Sequence, residues 1–242
     1  MHDGAPGDLA FYLDEVRGAA SALELGAGDG RIARAIAEAG IATTALERDE
    51  GMVALIEDRG RALPSDARGR LRVVQGDMRS FDLGARFDRI VIPFTGIYCL
   101  LSEADLDACL GCVARHLAPE GRFVFDAYAA DAFHREARPE DYPPDRRELV
   151  AEIVRDRERW TVYESSSWDR DAQRMDATYT YLDPSGRERA QIVVGHRYLL
   201  ADQLEPALER AGMRLVERWG SFDREPFGEP RGSLIAVAAL AD

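Results

Sequence analysis

The chain has 242 residues, with 44 acidic and 31 basic side chains that give a net charge of −13. Hydrophobic residues make up 46% and charged residues 31%, which is typical of a folded globular protein. The acidic balance disfavours binding to DNA or RNA, because that recognition depends on basic patches. The length allows one large α/β domain that carries an inserted segment.

The sequence shows no segment that targets or spans a membrane. The N-terminal residues lack the basic flank and apolar core of a signal peptide. The longest apolar run near the end, 234–241, falls short of the ~18 residues that span a bilayer. The three cysteines make no disulfide framework and suit a reducing compartment. We therefore expect a cytoplasmic protein without a membrane partner.

Two of the cysteines raise the question of a metal site. Cys109 and Cys112 match the C-x-x-C pattern, and His116 follows one helical turn later. A zinc or redox site needs a second ligand pair or a place at the end of a strand. These residues instead share a helical spacing with apolar neighbours such as Leu106 and Val113. We predict buried helix residues and no metal.

The stretch 23–37, LELGAGDGRIARAIA, is the one around which the remaining chain is organised. It passes from a short apolar strand through Gly26, Gly28 and Gly30 into a segment with helical spacing. Glycine allows a sharp turn and removes the Cβ that would keep a ligand away from the backbone. The following helix start supplies free N–H groups and partial positive charge. By itself, such a turn is also compatible with a simple tight connection.

The spacing of this stretch distinguishes between ligands. Glu24 followed by strictly alternating glycines gives E-x-G-x-G-x-G, which resembles motif I of the class I S-adenosylmethionine (SAM) dependent methyltransferases. A dinucleotide fingerprint is instead G-x-G-x-x-G, with a pyrophosphate on the helix N-terminus. Asp29 in the turn would repel a pyrophosphate. Many relatives have threonine or serine at the position of Asp29, so contacts to the methionine end are less certain than the fold.

Acids at the ends of the next two predicted strands extend the resemblance. The strand 42–46 ends at Glu47, where one carboxylate can accept hydrogen bonds from both hydroxyls of a ribose. The strand 71–74 is followed by Asp77, which the resemblance implies accepts from the adenine amino group. The apolar strand 87–92 leads to Pro93 and Phe94, which by the same resemblance line the methionine end of the cofactor.

The resemblance also implies roles outside these strand ends. Tyr12, in a predicted helix over 8–19, corresponds to a tyrosine that folds over the cofactor, and either Tyr12 or Arg31 is expected to hold the cofactor carboxylate. The implied SAM site consists of Tyr12, Glu24, Gly26, Ala27, Gly28, Arg31, Glu47, Arg48, Met52, Asp77, Met78, Arg79, Pro93 and Phe94.

The alternation of elements predicts the fold class. Five β–α units over 20–127 indicate a doubly wound parallel sheet. After a polar loop at 129–147, the chain is rich in strands up to residue 200, and a helix at 202–211 and a final hairpin follow. We predict an α/β fold: a doubly wound, seven-stranded Rossmann-like methyltransferase sheet with an inserted antiparallel β cap. Residues 1–128 and 201–242 would form the SAM-binding core, and 129–200 the cap over the acceptor site.

The expected reaction is in-line transfer of a methyl group from SAM to the nitrogen or oxygen of a small molecule. The cap and the acidic surface favour such an acceptor over a nucleic acid. Candidate substrate residues are Tyr98, Tyr128 and Arg197. His196 is the candidate general base, because an ordinary imidazole pKa of about 6.5 suits neutral pH. A histidine that only packs the cap is the alternative.

Two other functions compete with methyl transfer. One is a catalytically inactive SAM-binding or interaction protein, which the intact motifs and the elaborate cap disfavour. The other is an NAD-dependent oxidoreductase, which the alternating glycines and Asp77 disfavour. The sequence leaves open the identity of the acceptor, the need for a general base and the oligomeric state, including a homodimer.

Overall fold

A computed structural model of the chain describes residues 4–143, 145–155, 157–228 and 232–241. The helices within these residues are α1 (Asp8–Glu15), α2 (Arg31–Glu38), α3 (Glu50–Arg61), α4 (Ser65–Arg68), α5 (Glu103–His116), α6 (Asp131–Glu136) and α7 (Ala201–Arg210). The strands are β1 (Ser21–Leu25), β2 (Ala42–Glu47), β3 (Leu71–Gln75), β4 (Phe87–Ile92), β5 (Leu117–Tyr128), β6 (Glu148–Arg155), β7 (Glu158–Asp169), β8 (Arg174–Leu182), β9 (Glu188–Arg197), β10 (Met213–Trp219) and β11 (Ser233–Leu240).

The larger sheet has seven strands in the order β10-β11-β5-β4-β1-β2-β3. Strands β1 to β5 pair in parallel, whereas β11 runs antiparallel to both β5 and β10. This confirms the predicted doubly wound, seven-stranded sheet. From β1 the strand order continues outward through β2 and β3 on one side, and from β4 through β5 on the other. Ligands of such sheets bind at the carboxyl ends of the strands where the order reverses, which are β1 and β4 here.

The core of this sheet explains why its central strands are mostly apolar. Strands β1, β4 and β5 are central, so their side chains are buried on both faces of the sheet. On one face, Phe11 of α1 and Ile36 of α2 pack against Val91 and Val124 of the sheet. The glycine turn that follows β1 is therefore attached to a rigid layer of packed residues.

The second sheet is antiparallel, with four strands in the order β6-β7-β8-β9. Its tight turn between β8 and β9 is stabilised by Asp183, whose Oδ1 accepts from the backbone N–H of Ser185 at 2.9 Å and of Arg187 at 3.1 Å. This agrees with the turn chemistry of the Asp-Pro-Ser-Gly sequence. The four strands are those predicted from the sequence.

The chain divides into two compact units. We call the first the core unit; it comprises the chain up to Ile97, Ser102–Ala129 and the chain from Ala201 onward. The second, called the inserted unit, comprises Tyr98–Leu101 and Ala130–Leu200. No sequence pattern predicted that Tyr98–Leu101 groups with the inserted residues.

Several boundaries differ from those predicted. Strand β5 begins at Leu117, directly after α5, whereas the sequence predicted a fifth strand only from Arg122; a register shift between Phe87 and Arg89 of β4 accommodates the extra residues. The polar segment before β6 contains α6 and a 3₁₀ turn at Pro139–Asp141. Helix α1 ends at Glu15, earlier than expected.

Cys109, Cys112 and His116 all lie buried in α5. The His116 Nδ1 is 2.8 Å from the Cys112 carbonyl oxygen, and its Nε2 accepts from the Leu83 N–H at 3.0 Å. Burial raises the pKa of the Cys109 thiol, which makes it unreactive. Across the described ranges, no cluster of three or more potential ligands could hold a metal ion, and no helix is both long and apolar enough to cross a bilayer.

Candidate active site

The glycine turn between β1 and α2 leaves bare backbone at the carboxyl end of β1. Gly26 and Gly28 have left-handed φ angles of 66° and 54°, and a Cβ at either position would point into open space. Gly30, with φ 74°, has a different role, because a Cβ there would lie 2.8 Å from Ile56 of α3. The first two glycines therefore expose the backbone, and the third allows close helix packing.

Glu24, near the end of β1, supports this turn by a hydrogen bond to the helix that follows it. Its side chain is 2% exposed, and its Oε2 accepts from the Ala33 N–H at 2.6 Å. Helix α2 has Gly30 at its N-cap with no side-chain cap, so Glu24 provides the capping carboxylate from β1. Burial raises the pKa of Glu24 to about 8, while the Ala33 N–H lowers it. Glu24 was predicted to bind the cofactor, and in the structure its carboxyl group accepts a hydrogen bond from the helix backbone.

Glu47 lies at the end of β2 and connects β2 to the glycine turn. Its Oε2 accepts from the Gly28 N–H at 2.8 Å, and its Oε1 accepts from the N–H groups of Arg48 at 2.7 Å and Asp49 at 2.9 Å. A carboxylate offers about four acceptor positions, so one remains beyond these three. Because the side chain is only half-buried, that position is accessible to a ligand hydroxyl.

Asp77 follows β3 and is held by Arg79. Its Oδ2 accepts from Arg79 Nη2 at 2.6 Å, and its Oδ1 accepts from both the Nε and the backbone N–H of Arg79 at 2.9 Å. Arg79 also donates to Asp105 at 2.8 Å, and Arg48 lies 3.9 Å from Asp77. These hydrogen bonds from Arg79 lower the pKa of Asp77, so the group is ionised at neutral pH. It remains half-buried at the edge of the sheet.

The two groups predicted to hold the cofactor carboxylate have protein partners. Arg31 is paired through both terminal nitrogens with the buried carboxylate of Asp8. Tyr12 is fully buried, and its hydroxyl donates to Asp126 Oδ1 at 2.6 Å. Either residue would have to exchange this partner to bind a carboxylate of the cofactor.

Asp29, which was expected to repel a pyrophosphate, is not an unpaired charge. Its Oδ2 forms a short ion pair with Arg59 of α3, and its Oδ1 accepts from the Arg31 N–H at 3.2 Å. The ion pair reduces the negative potential at the turn. Asp29 therefore repels a pyrophosphate less than the sequence suggested. The spacing of the glycines distinguishes better between SAM and a dinucleotide.

The loop after β4 has a strained backbone. Phe94 and Thr95 have φ angles of 53° and 61°, which cost on the order of 1 kcal/mol or more per residue outside glycine. The Phe94 N–H donates to Asp126 Oδ1 at 2.8 Å, and the Thr95 N–H donates to the Asp126 carbonyl oxygen at 3.1 Å. The loop leaves the Phe94 side chain 44% exposed. Strained residues held in this way are common at ligand sites.

The other predicted cofactor residues lie along the same edge of the sheet. Met52 is 42% exposed in the first turn of α3, and its N–H donates to the Asp49 side chain at 2.9 Å. Met78 is half-buried beside Asp77, whereas Ala27 and Pro93 are buried. The predicted residues from 24 to 94 thus lie at or directly after the carboxyl ends of β1 to β4.

The predicted acceptor residues are divided between the units. Tyr128 is half-buried at the end of β5 in the core unit. In the inserted unit, Tyr98 is buried and donates to the Leu199 carbonyl oxygen at 3.1 Å. His196 and Arg197 lie near the end of β9 and are half-buried. Burial lowers the pKa of His196, with a smaller opposing effect from Asp176, so the imidazole is neutral at pH 7.

Sequence reasoning missed several buried polar groups. Asp126 occurs in an apolar strand sequence, RFVFDAY, and a carboxylate in such a strand is a signal that the sequence analysis did not use. Burial raises its pKa, which its hydrogen bonds oppose. A second missed group is Tyr198, whose hydroxyl accepts from Trp168 Nε1 at 3.0 Å and lies 2.8 Å from His134 Nδ1.

Comparison with known proteins identifies the core unit. Residues 22–121 match a family model described as a methyltransferase domain. The solved structure of the CcbJ methyltransferase from Streptomyces caelestis is similar over 99% of this chain and 91% of its own, with 25% identity and a TM-score of 0.82. Residues 22–121 form a class I, SAM-dependent methyltransferase domain.

Two curated relatives of this chain are named for amino sugars. A dTDP-3-amino-3,6-dideoxy-alpha-D-glucopyranose N,N-dimethyltransferase of Streptomyces fradiae is 34% identical over 46% of this chain and 40% of its own length. A dTDP-3-amino-3,4,6-trideoxy-alpha-D-glucopyranose N,N-dimethyltransferase of Streptomyces venezuelae is 31% identical over 68% of this chain and 64% of its own length. The chain therefore matches less than two thirds of the length of either relative.

The residues at the edge of the sheet fit SAM. The open space beside Gly26 and Gly28 permits close approach of a ligand to the backbone. Glu47 has an acceptor position to offer to a ribose, and Asp77 carries negative charge at the end of the next strand. These features are compatible with the predicted cofactor site in this domain, whose residues remain a prediction.

Proposed function

We propose that this protein transfers a methyl group from SAM to an amine nitrogen of a small-molecule acceptor. The observation that carries the proposal is the open glycine turn at Gly26 and Gly28, tied through the Gly28 N–H to the carboxylate of Glu47 at 2.8 Å. That arrangement offers bare backbone and a hydroxyl-binding carboxylate at the carboxyl edge of a doubly wound sheet.

Each part of the cofactor has a proposed protein partner. Glu47 accepts a hydrogen bond from a ribose hydroxyl through its remaining acceptor position. Asp77 accepts from the adenine amino group, and Met52 and Met78 lie against the adenine. Pro93 and Phe94 close the methionine end. Support comes from their common position at the ends of successive strands and from the exposure of Phe94 and Met52.

The chemical demand on the protein is modest. Bound SAM supplies a methyl group on a sulfonium sulfur, and the neutral thioether that remains is a good leaving group. The protein has to orient the acceptor and exclude water, and orientation alone provides large rate factors. An amine attacks through its lone pair, so a protonated amine must first lose one proton, and the methylated ammonium loses another after transfer.

The preference for an amine comes from the relatives. The two dTDP-sugar relatives are named as N,N-dimethyltransferases, and a third, the cypemycin N-terminal methyltransferase from a Streptomyces species, is 28% identical over 53% of this chain and 51% of its own length. All three names specify nitrogen, and we carry this acceptor atom over to the present chain. Tyr98, Tyr128 and Arg197 remain the proposed acceptor-binding residues.

His196 is the proposed general base. Its lowered pKa keeps it in the neutral form that accepts a proton at pH 7. We predict that His196→Gln lowers kcat at least tenfold at pH 7 and that raising the pH partly restores the rate, since the acceptor amine then loses its proton without help. If His196→Gln turns over at the wild-type rate at pH 7, His196 is not a general base, and catalysis depends on positioning of the acceptor alone.

A methyl-transfer assay tests the proposal. The purified protein is incubated with SAM and a panel of dTDP-amino sugars, each paired with the analogue that has a hydroxyl in place of the amine, and methylated products are identified by mass spectrometry. We expect methylation of an amine and none of its hydroxyl partner. Preferential methylation of the hydroxyl analogue contradicts the acceptor atom, and SAM binding without turnover of any amine supports the inactive alternative.

We also propose that the protein acts in the cytoplasm. The support is the cysteine content of the sequence, since three cysteines make no disulfide framework and suit a reducing compartment. A homodimer is part of the same proposal, and sedimentation of the purified chain would test it.

A further inference from the structure

The strained loop after β4 is held by one buried carboxylate. Asp126 Oδ1 receives two hydrogen bonds, from the Phe94 N–H at 2.8 Å and from the Tyr12 hydroxyl at 2.6 Å. The carbonyl oxygen of the same residue receives the Thr95 N–H at 3.1 Å. Both backbone amides of the left-handed pair therefore end on Asp126.

Burial makes this arrangement specific. Asp126 is 6% exposed and Tyr12 is 0% exposed, so water cannot replace either partner without a rearrangement of the core. Tyr12 is further fixed by edge-to-face packing on Phe11, with ring centroids 5.6 Å apart. The carboxylate thus has a defined position before any ligand arrives.

The consequence is a loop conformation that its own sequence disfavours. Thr95 is β-branched and Phe94 is bulky, and neither residue type adopts a left-handed backbone readily. Without the carboxylate of Asp126, the Phe94 N–H would lose its acceptor, and we expect Phe94 to relax to a negative φ angle and to move its exposed ring. Phe94 and its neighbour Pro93 are the residues proposed to close the methionine end of the cofactor site.

We propose that Asp126, held by Tyr12, is a positioning residue for methyl transfer, which fixes the strained loop that presents Phe94 at the carboxyl end of β4. This inference rests on the proposed function and assigns the Tyr12 hydroxyl to Asp126, not to the cofactor carboxylate. Asp126 touches neither reactant in this account and acts through the Phe94 and Thr95 amides.

Hydrogen exchange tests the positioning without reference to activity. In Asp126→Ala, the Phe94 amide loses its acceptor, and we expect it to exchange at least tenfold faster than in the wild type. Asp126→Asn retains an acceptor oxygen and should stay within about threefold of the wild type. Tyr12→Phe, which removes only the hydroxyl, should accelerate exchange by two- to fivefold and serves as the milder probe if Asp126→Ala does not fold.

Asp88 supplies a matched control at the opposite edge of the same sheet. One of its carboxylate oxygens, Oδ2, likewise receives two hydrogen bonds, from the backbone amides of Ala20 at 2.7 Å and Ser21 at 3.1 Å. Asp88→Ala therefore removes a comparable pair of hydrogen bonds far from the loop. Exchange of the Phe94 amide should remain at the wild-type rate in this variant.

Kinetics separates positioning from general destabilisation. We expect Asp126→Ala to lower kcat at least tenfold while the KM for SAM rises no more than about fivefold, and Asp126→Asn to recover most of the rate. Unchanged Phe94 exchange in Asp126→Ala, or equal losses of kcat in the Asp126→Ala and Asp88→Ala variants, overturns the inference. If the wild type transfers no methyl group, the proposed function fails, and the exchange comparison still decides whether Asp126 fixes the loop.

Discussion

Glu24 is a carboxylic acid with a raised pKa where β1 meets the glycine turn. It is buried, and it caps α2 through the Ala33 N–H. Burial raises its pKa to about 8 in the folded chain, whereas the pKa in the unfolded chain is roughly 4.5. Between these two pH values, Glu24 is protonated in the folded chain and ionised in the unfolded chain. Its contribution to stability is therefore complete below pH 4.5 and is lost as the pH rises to 8.

Glu24→Gln should remove this pH dependence. Glutamine keeps the shape and an acceptor for the Ala33 N–H but does not titrate. We predict that the free energy of unfolding of the wild type, relative to the variant, falls by about 1 kcal/mol per pH unit between pH 5 and 8. Urea unfolding at several pH values measures this difference, with the exposed Glu38→Gln as control. Parallel pH curves for wild type and Glu24→Gln would show that Glu24 is ionised in the folded chain.

At the scale of elements, the strand–turn–helix unit from β1 to α2 is the site's principal support. Gly26 faces open space in the turn, whereas Gly30 packs on Ile56. Gly40, which follows the far end of α2, shares with Gly26 a left-handed backbone, φ 95°, and open space for a Cβ. The two positions differ only in their place relative to the proposed cofactor site.

Gly26→Ala and Gly40→Ala therefore form a matched pair. Each substitution forces alanine into the left-handed region, which should lower stability by about 1–2 kcal/mol. We predict that Gly26→Ala alone also weakens SAM binding, by tenfold or more, because its Cβ occupies the space that the cofactor needs. Thermal unfolding and calorimetric titration measure the two effects. Equal SAM affinities in the two variants would mean that the cofactor does not lie against Gly26.

The elements could be predicted because their signals are local. Apolar runs, glycine turns and helix periodicity each lie within a few residues of one another, and they indicate the succession of strands and helices along the chain. The partners of the polar groups could not be predicted in the same way. Arg31 meets Asp8 across 23 residues, Arg59 meets Asp29 across 30, and Tyr12 meets Asp126 across 114. Only the folded sheet and its packed helices bring such pairs together.

At the scale of the whole molecule, the chain combines a methyltransferase core unit with an inserted antiparallel sheet that begins after β5. The interruption follows from the sequence, because the β–α alternation stops near Tyr128 and strand patterns follow one another up to β9. The core unit carries the features that identify the cofactor. The inserted unit holds His196 and Arg197. We expect the residues of this unit to determine which acceptor is preferred.

Calorimetric titration with S-adenosylhomocysteine tests the central claim most directly. The wild type should bind this ligand and not NAD, and Glu47→Ala should weaken binding by roughly 1.5–3 kcal/mol, the scale of charge-assisted hydrogen bonds. Asp77→Ala should weaken it as well, whereas the exposed Glu38→Ala should not. Unchanged affinity in both Glu47→Ala and Asp77→Ala, or binding of NAD in place of S-adenosylhomocysteine, would contradict the account.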